Sequence, residues 1–314
     1  MSHPLAQFGE IFEPEEALEP ILTPATRALL TEWLEEIWAE EDLLAVGLKS
    51  RKKAIFDGAP GVGKTTLAHH LAARLGLPMI AVRTDCIISK WMGETGENIG
   101  KLFRAAADPD NPVLIFIDEF DALAQQRKAS EHGADDARNE KVDTLLQRLE
   151  QHKGFLIAAT NFADQIDQAI WRRFDIHITL DLPGPRERER ILARYLLPFG
   201  IEAPALAALA EAMETASPAL MRAFCEGLKR QIVIGPKLNS DMRRDAVIDR
   251  IIGTIHPHAK AGKPRLWSHG ARDASVRLLG WPLRMASEIG SDAVPAAAGG
   301  EAAANVVRFG GGGK

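Results

Sequence analysis

The sequence is poor in cysteine and in long apolar runs. Its 314 residues include two cysteines, Cys86 and Cys225, whose spacing fits neither a metal-ligand pattern nor a disulfide framework. No apolar stretch approaches the ~18 residues needed to span a bilayer, and residues 1–10 contain neither a basic region nor an apolar run. These absences argue against a disulfide-stapled or membrane-spanning protein. We expect a soluble chain in the reducing cytoplasm, with no membrane partner.

The chain also lacks a strong charge of either sign. Its formal net charge is -5 and its pI is near 6.0, so bulk electrostatics give no reason to expect non-specific nucleic-acid binding. Hydrophobic residues make up 46% and charged residues 26%, which is typical of a soluble globular protein. A chain of this length can bury a core domain and a smaller second domain.

Five short apolar runs alternate with helical stretches between residues 51 and 182. The runs are Ala54–Phe56, Met79–Val82, Val113–Ile117, Phe155–Ala159 and Ile176–Leu180. Continuous apolar strands separated by helices predict an α/β domain, in which a parallel sheet is covered by helices on both faces. In such sheets, ligands bind beyond the carboxyl ends of the strands.

The flanking segments predict a different organisation. Residues 1–50 are interpreted as an acidic lead-in, solvated from Glu10 to Glu19, followed by a helix that is capped by Thr23 and has Pro24 in its first turn. Proline and glycine at 183–185 end the alternation, and residues 183–255 predict a small all-helical lid domain. Residues 256–314 are expected to form a C-terminal extension with a glycine-rich, disordered tail.

Residues 58–65 read GAPGVGKT and match the phosphate-binding pattern G-x-x-x-x-G-K-[ST] in full. The match follows a predicted strand and opens a predicted helix, so backbone N–H groups and the helix N-terminus can cradle phosphates. Lys64 is expected to reach the β- and γ-phosphates of ATP, and the Thr65 hydroxyl to bind Mg²⁺. The candidate nucleotide-binding residues are Gly58, Pro60, Gly61, Val62, Gly63, Lys64, Thr65, Thr66 and Asp118.

Two carboxylates follow the apolar run that ends at Ile117. Asp118 is the second candidate Mg²⁺ ligand, and Glu119 is the candidate base that activates the attacking water. Acidic pairs in this position also occur as helix caps. The pairing with the phosphate-binding loop favours the catalytic interpretation.

With these motifs in order, the sequence resembles the AAA+ ATPases, specifically the AAA clade that remodels proteins, over residues 12–230. This resemblance implies a P-loop NTPase fold, ATP hydrolysis with Mg²⁺, and assembly into a homo-oligomeric ring, a hexamer in the relatives. The motif set is most similar to small bacterial AAA proteins that are often paired with subtilisin-like serine proteases. A separate protease partner and a polypeptide substrate are therefore implied.

The resemblance extends to further candidate residues. Asn161 lies where the family has sensor 1, an amide that bonds the γ-phosphate and the attacking water; the alternative is a residue that caps the next turn. Arg172 and Arg173 lie in the region of the arginine fingers, which stabilise charge on the phosphoryl group of a neighbouring subunit. Their adjacency leaves open which is the finger, with Arg173 favoured; both could also be surface arginines at a helix end.

Residues 89–94 read SKWMGE and resemble the pore loop of the family. Trp91, followed by Met92, would grip an extended polypeptide in the central channel, and Lys90 is a further candidate contact. A tryptophan packed against its own domain is the alternative. In the lid, Ala219 loosely fits the Gly-Ala type of the last helix, and whether Arg222 acts as sensor 2 stays open.

Three functions are compared on this basis. The first is a protein remodeller that threads a polypeptide through its pore. The second is a DNA-directed loader or initiator, kept open by Trp267 near a basic set at 260–272 (Lys260, Lys263, Arg265 and Arg272). The third is a scaffold gated by nucleotide binding, which Glu119 and Asn161 disfavour because binding alone does not require them.

Overall fold

A computed structural model of the chain describes residues 4–88, 94–124, 126, 133–258, 262–268 and 276–289. Six strands form one sheet in the order β1-β3-β4-β5-β2-β6. The strands are β1 (Gly9–Phe12), β2 (Lys53–Gly58), β3 (Met79–Val82), β4 (Leu114–Ile117), β5 (Leu156–Thr160) and β6 (Ile176–Leu180). All neighbours among β2–β6 pair in parallel.

Helices cover both faces of this sheet. On one face, α1 (Pro24–Trp38) and α3 (Lys64–Arg74) bury apolar side chains against β2, β4 and β6. On the other face, α5 (Glu94–Ala105) and α6 (Gly133–Gln151) form a second apolar core with the opposite sides of the strands. The predicted α/β architecture is confirmed. The helix cap expected at Thr23 is also present, since its hydroxyl accepts a hydrogen bond from the Thr26 N–H.

The acidic lead-in has exposed glutamates at 10, 13, 15 and 16, but its first residues also pair with the sheet, which the sequence did not predict. Residues 9–12 form β1, which pairs antiparallel with β3 at the edge of the sheet, and Leu5 and Phe8 are 1% and 4% exposed. Gly9 allows this close pairing, because a Cβ there would lie 2.0 Å from the carbonyl oxygen of Ala81. Edge pairing depends on backbone groups, so the side-chain pattern gave little sign of a strand.

The lid forms a separate apolar core from α8 (Pro185–Leu196), α9 (Ala203–Ala212), α10 (Pro218–Ile234) and α11 (Arg244–Thr254). Ser217 caps α10, since its hydroxyl accepts a hydrogen bond from the Leu220 N–H. The lid is not entirely helical, because β7 (Phe199–Gly200) pairs antiparallel with β8 (Arg284–Met285). Its core also extends past residue 255, since Leu266, Val276 and other later side chains are buried in it.

Short elements complete the described chain. They are α2 (Glu40–Ala45), α4 (Thr84–Ile87), α7 (Gln168–Trp171), and 3-10 turns at Pro14–Glu16, Phe120–Ala122, Ala163–Gln165, Pro236–Leu238, Arg265–Trp267 and Ala286–Glu288. Among the described residues, no helix is both long and apolar enough to cross a membrane. The glycine-rich tail expected near residue 314 lies outside the described residues.

The buried Arg188 connects two helices of the lid through hydrogen bonds. This side chain is 7% exposed and donates to the carbonyl oxygens of Pro183 and Ala210, at 2.9 and 2.7 Å, joining α8 to the end of α9. Arg188→Ala would remove both of these bonds and leave Ala210 only the 3.3 Å bond from the Met213 N–H, so we expect a loss of about 2–4 kcal/mol in unfolding free energy. Denaturant unfolding measures this loss. The exposed Arg190→Ala on the same helix is the control and should change stability by under about 0.5 kcal/mol; equal effects would contradict the account.

Candidate nucleotide site

The order of the sheet brings three strand ends together. β5 lies between β2 and β4, and all three run in parallel, so their carboxyl ends meet at one edge. The predicted phosphate-binding loop follows β2, the acidic pair follows β4, and Asn161 follows β5. Residues that are far apart in sequence therefore converge where an α/β sheet binds its ligands.

The phosphate-binding loop leads directly into α3, which begins at Lys64. Gly63 precedes the helix with a φ of 104° and a ψ of 23°, a conformation that other residues rarely adopt. The first N–H groups of α3 and its positive dipole end therefore open toward the cavity beyond the strands. This local geometry is suited to an anion of the phosphate type.

Lys64 links this loop to the end of β5. Its ammonium donates to the carbonyl oxygens of Gly58 and Ala59, at 2.8 and 3.2 Å, and to Oδ1 of Asn161 at 2.7 Å. Burial lowers the pKa of Lys64 from its usual value, while the carboxylates of Asp118, Asp57 and Asp121 oppose that shift. These nearby negative charges favour the charged form of the ammonium.

Two oxygen ligands suitable for a hard cation lie side by side. The Thr65 hydroxyl donates to Oδ2 of Asp118 at 3.4 Å. A hydroxyl and a carboxylate fit Mg²⁺, which keeps several waters and is commonly held by one or two protein oxygens together with phosphates. Among the described residues, no group of three or more His, Cys, Asp and Glu could hold a metal alone. A magnesium ion here would therefore depend on nucleotide oxygens.

Glu119 is exposed at the mouth of the site. Its backbone is left-handed, with a φ of 47° and a ψ of 43°, which is uncommon for a residue with a side chain. The Glu119 N–H donates to Oδ1 of Asp118 at 2.8 Å. The Asp118 carboxylate therefore contacts the Thr65 hydroxyl through one oxygen and holds the backbone of Glu119 through the other. Strained backbone of this kind clusters at functional sites.

The start of α10, in the lid, lies against the phosphate-binding loop and lines the site. The Ala219 N–H, at the start of α10, donates to the carbonyl oxygen of Gly61 at 3.1 Å. One turn later, Arg222 bonds Glu226 at 2.7 Å and lies over the ring of Tyr195, 5.6 Å from its centre. Arg222 lines the cavity with its charge already paired, so its role toward nucleotide stays open.

Two adjoining cavities lie between the sheet edge and the lid. The first, of about 370 Å³, is lined by the phosphate-binding loop, Asp118, Glu119, Asn161 and Arg222. The second, of about 320 Å³, is more apolar and shares Gly63, Thr66, Tyr195 and Pro218 with the first. Its other walls include Ile21, Leu22, Val62, Leu180 and Ile191. One polar and one apolar cavity in continuity suit a phosphate chain and an aromatic base.

Apart from Val62, Gly63 and Thr66, the residues of the apolar cavity were missed by sequence reasoning. Ile21 and Leu22 come from the lead-in, and Ile191 and Tyr195 come from α8. Each is an ordinary apolar or aromatic residue in its own segment. No local pattern marks them, because they meet only when the lead-in, the loop and the lid are folded together.

Comparison with known proteins agrees with this geometry. Residues 54–182 match the family model described as ATPase family associated with various cellular activities (AAA). The matched segment runs from β2 to just after β6 and contains all three converging strand ends. Residues 54–182 are therefore similar to the ATPase domain of the AAA family.

Curated relatives match over the same part of the chain. An uncharacterized AAA family ATPase, y4kL, of Sinorhizobium fredii is 42% identical over 181 residues, covering 57% of this chain and 54% of the relative. The ATP-dependent zinc metalloprotease FTSH 2 of rice (Oryza sativa) is 33% identical over 167 residues, 51% of this chain and 25% of the relative. The ATP-dependent zinc metalloprotease FtsH of Heterosigma akashiwo is 37% identical over 155 residues, which cover 48% of this chain and 23% of the relative. The chain thus spans about half of y4kL and about a quarter of the metalloproteases.

The two arginines predicted as fingers of the AAA domain lie away from the site. β2 and β6 are parallel, with Ala54 opposite Ile176 and Gly58 opposite Leu180. Arg172 and Arg173 precede β6, so they lie at the amino-terminal edge of the sheet. At ~3.3 Å per residue this edge is roughly 15 Å or more from the phosphate-binding loop. Both side chains are exposed, and Arg173 forms an ion pair with Glu150 on α6.

Two further sequence predictions have different outcomes. The pore-loop residues Lys90, Trp91 and Met92 lie outside the described residues, between α4 and α5.

The suggestion that Trp267 could stack on a nucleic-acid base was wrong. This side chain is 6% exposed, packs in the lid core, and donates its indole N–H to the carbonyl oxygen of Ile255. Arg265 beside it is paired with Glu211 and Glu214.

Lys64→Ala tests the phosphate cavity. Removing the ammonium eliminates a charge-assisted contact with the phosphates, which is worth roughly 10- to 100-fold in affinity. We therefore expect ATP affinity, measured with a fluorescent ATP analogue, to fall by about that factor. The exposed Lys49→Ala is the matched control and should bind ATP as the unaltered protein does. Normal affinity in Lys64→Ala would show that the nucleotide is not held here.

Proposed function

We propose that this protein hydrolyses ATP with Mg²⁺ as a homo-oligomeric ring, a hexamer, and uses the energy to remodel or thread polypeptides in the cytoplasm. The main support for the proposal is that the candidate catalytic residues lie at two opposite edges of one sheet. Lys64, Asp118, Glu119 and Asn161 converge at one edge, while Arg173 is exposed at the other.

The residues at the carboxyl edge have distinct roles in this reaction. Backbone N–H groups of the loop and Lys64 bind the β- and γ-phosphates. Thr65 and Asp118 would hold Mg²⁺, which neutralises charge on the phosphate oxygens when it is bound. Glu119 accepts a proton from the attacking water, and the Asn161 amide orients that water. The ammonium of Lys64 already makes three bonds, so the phosphate would displace the longest, to Ala59 at 3.2 Å.

The position of Arg173 supports action between subunits. Because it lies at the opposite edge of the sheet, it is too far away to reach the phosphates bound to its own chain. A second copy placed head to tail would bring this edge against the first copy's site. A guanidinium supplied in this way stabilises the charge that develops on the transferred phosphoryl group. Glu150 holds the side chain of Arg173 until a phosphate competes for it.

The substrate class rests on two supports. Relatives over residues 54–182 include proteins named as ATP-dependent metalloproteases, and the segment 89–94, which resembles a pore loop, carries the aromatic Trp91. We propose a polypeptide substrate on these grounds. The resemblance to small bacterial AAA proteins that are paired with subtilisin-like proteases supports a separate protease partner of that class. DNA is disfavoured by the burial of Trp267.

Arg173→Ala tests the contribution of a neighbouring subunit. We expect kcat for ATP to fall on the order of 10³-fold, because charge at the transition state is no longer neutralised. ATP affinity should stay within about 3-fold, because the phosphate-binding loop is intact. Arg172→Ala should have a smaller effect, and the specific activity of the unaltered protein should rise with its concentration. A monomeric Arg173→Ala protein with full activity would contradict assembly-dependent hydrolysis.

A substrate trap tests the polypeptide proposal. Glu119→Gln should bind ATP without cleaving it, so a threaded substrate stays in the ring. We expect mass spectrometry to identify polypeptides that co-purify in the presence of ATP, and Trp91→Ala in the same background to release them. Retained nucleic acid, or retention that Trp91→Ala does not change, would contradict the threading function.

A further inference from the structure

A hydrogen bond joins the turn after β4 to the end of β5. The Thr160 hydroxyl donates to Oδ1 of Asp121 at 2.7 Å and accepts from the Phe162 N–H at 3.0 Å. Thr160 is 0% exposed, and Asp121 is half-buried. Neither side chain lines the phosphate cavity, so neither is placed to touch a nucleotide.

This hydrogen bond is one of several that hold the turn carrying Glu119. The left-handed backbone of Glu119 is a conformation that a residue with a side chain rarely keeps unaided. On the near side, the Asp118 carboxylate accepts from the Glu119 N–H. Within the turn, the Ala122 N–H donates to the Glu119 carbonyl at 2.9 Å. On the far side, Asp121 fastens the turn to the neighbouring strand.

A continuous path then connects the candidate base to the phosphate-binding loop. It runs from Glu119 along the turn to Asp121, across the 2.7 Å bond to Thr160, and along the chain to Asn161. From there a second 2.7 Å bond reaches Lys64. Glu119 and Asn161 must both contact one water molecule, and such groups work only when held within about 0.5 Å of the productive geometry.

We propose that Asp121 and Thr160 are positioning residues for hydrolysis, whose hydrogen bond sets the placement of Glu119 relative to Asn161. This inference rests on the proposed ATPase function of the site. It assigns no nucleotide contact to either residue. Loss of the bond should therefore impair the chemical step and leave ATP binding nearly unchanged.

The test compares Thr160→Val, which keeps the shape and removes the hydroxyl, with Thr160→Ser, which keeps the hydroxyl. Thr160→Val should lower kcat about 10- to 100-fold, because misplacement of a catalytic group by about 1 Å costs that much. Its KM for ATP and its affinity for a fluorescent ATP analogue should stay within about 3-fold. Thr160→Ser should restore kcat to within about 3-fold of the unaltered protein. The exposed Thr31→Val on α1 controls for the substitution itself.

Variants of Asp121 provide a second test of the same hydrogen bond. Asp121→Ala should lower kcat at least as much as Thr160→Val does, because it also removes a negative charge near Lys64. Asp121→Asn, which keeps the accepting oxygen, should retain more of the activity. The double variant with Asp121→Ala and Thr160→Val should be no slower than the slower single variant, because both remove one interaction. If Asp121→Ala does not fold, the comparison of Thr160→Val with Thr160→Ser decides alone.

Three outcomes would overturn the positioning role. They are a normal kcat in Thr160→Val, a loss of ATP affinity equal to the loss of kcat, and multiplicative effects in the double variant. The turnover of the unaltered protein and of Glu119→Gln is measured in parallel. Turnover that does not depend on Glu119 would reject the proposed ATPase mechanism itself. Glu119-dependent turnover with a fully active Thr160→Val would reject the positioning role alone.

Discussion

The ammonium of Lys64 is the contact on which the site depends. Lys64 is 7% exposed and lies beneath the phosphate-binding loop. Each of the three N–H donors of its ammonium has an acceptor in the folded chain. Such a buried cation is unfavourable without nearby negative charge, which the carboxylates of Asp118, Asp57 and Asp121 provide. Lys64 is separated from Asn161 by 97 positions, and its side chain joins the loop after β2 to the end of β5, which the parallel pairing of the two strands places side by side.

The parallel sheet gives the second constraint. Parallel strands place all their carboxyl ends at one edge, so loops that follow β2, β4 and β5 must meet there. The same geometry places Arg173, which precedes β6, at the opposite edge. Under the proposed function a second chain supplies Arg173 to this site, and hydrolysis would then depend on assembly. The lid and the lead-in line an apolar cavity beside the phosphate-binding loop at the carboxyl edge of the sheet.

Features defined by contiguous residues could be predicted. The phosphate-binding loop, the acidic pair and the caps at Thr23 and Ser217 each follow from a few neighbouring residues, and the alternation of apolar runs with helices predicted the parallel sheet. β1 could not be predicted, because its pairing with β3 depends on backbone hydrogen bonds and on Gly9 lying against Ala81. Nor could the base-sized cavity, whose walls come from three distant segments. The helical lid was foreseen, but its late strand pair and α11 carry weak patterns.

The most direct measurement mixes two impaired variants. Lys64→Ala has a defective site and an intact Arg173, and Arg173→Ala has an intact site and no finger. If a neighbour's arginine completes the site, mixed rings will contain Arg173→Ala sites that face Lys64→Ala subunits, and ATPase activity will exceed the sum of the activities of the two variants alone. The account predicts this recovery, with a maximum at intermediate ratios. Mixed rings that form but stay inactive at every ratio would contradict a site shared between subunits.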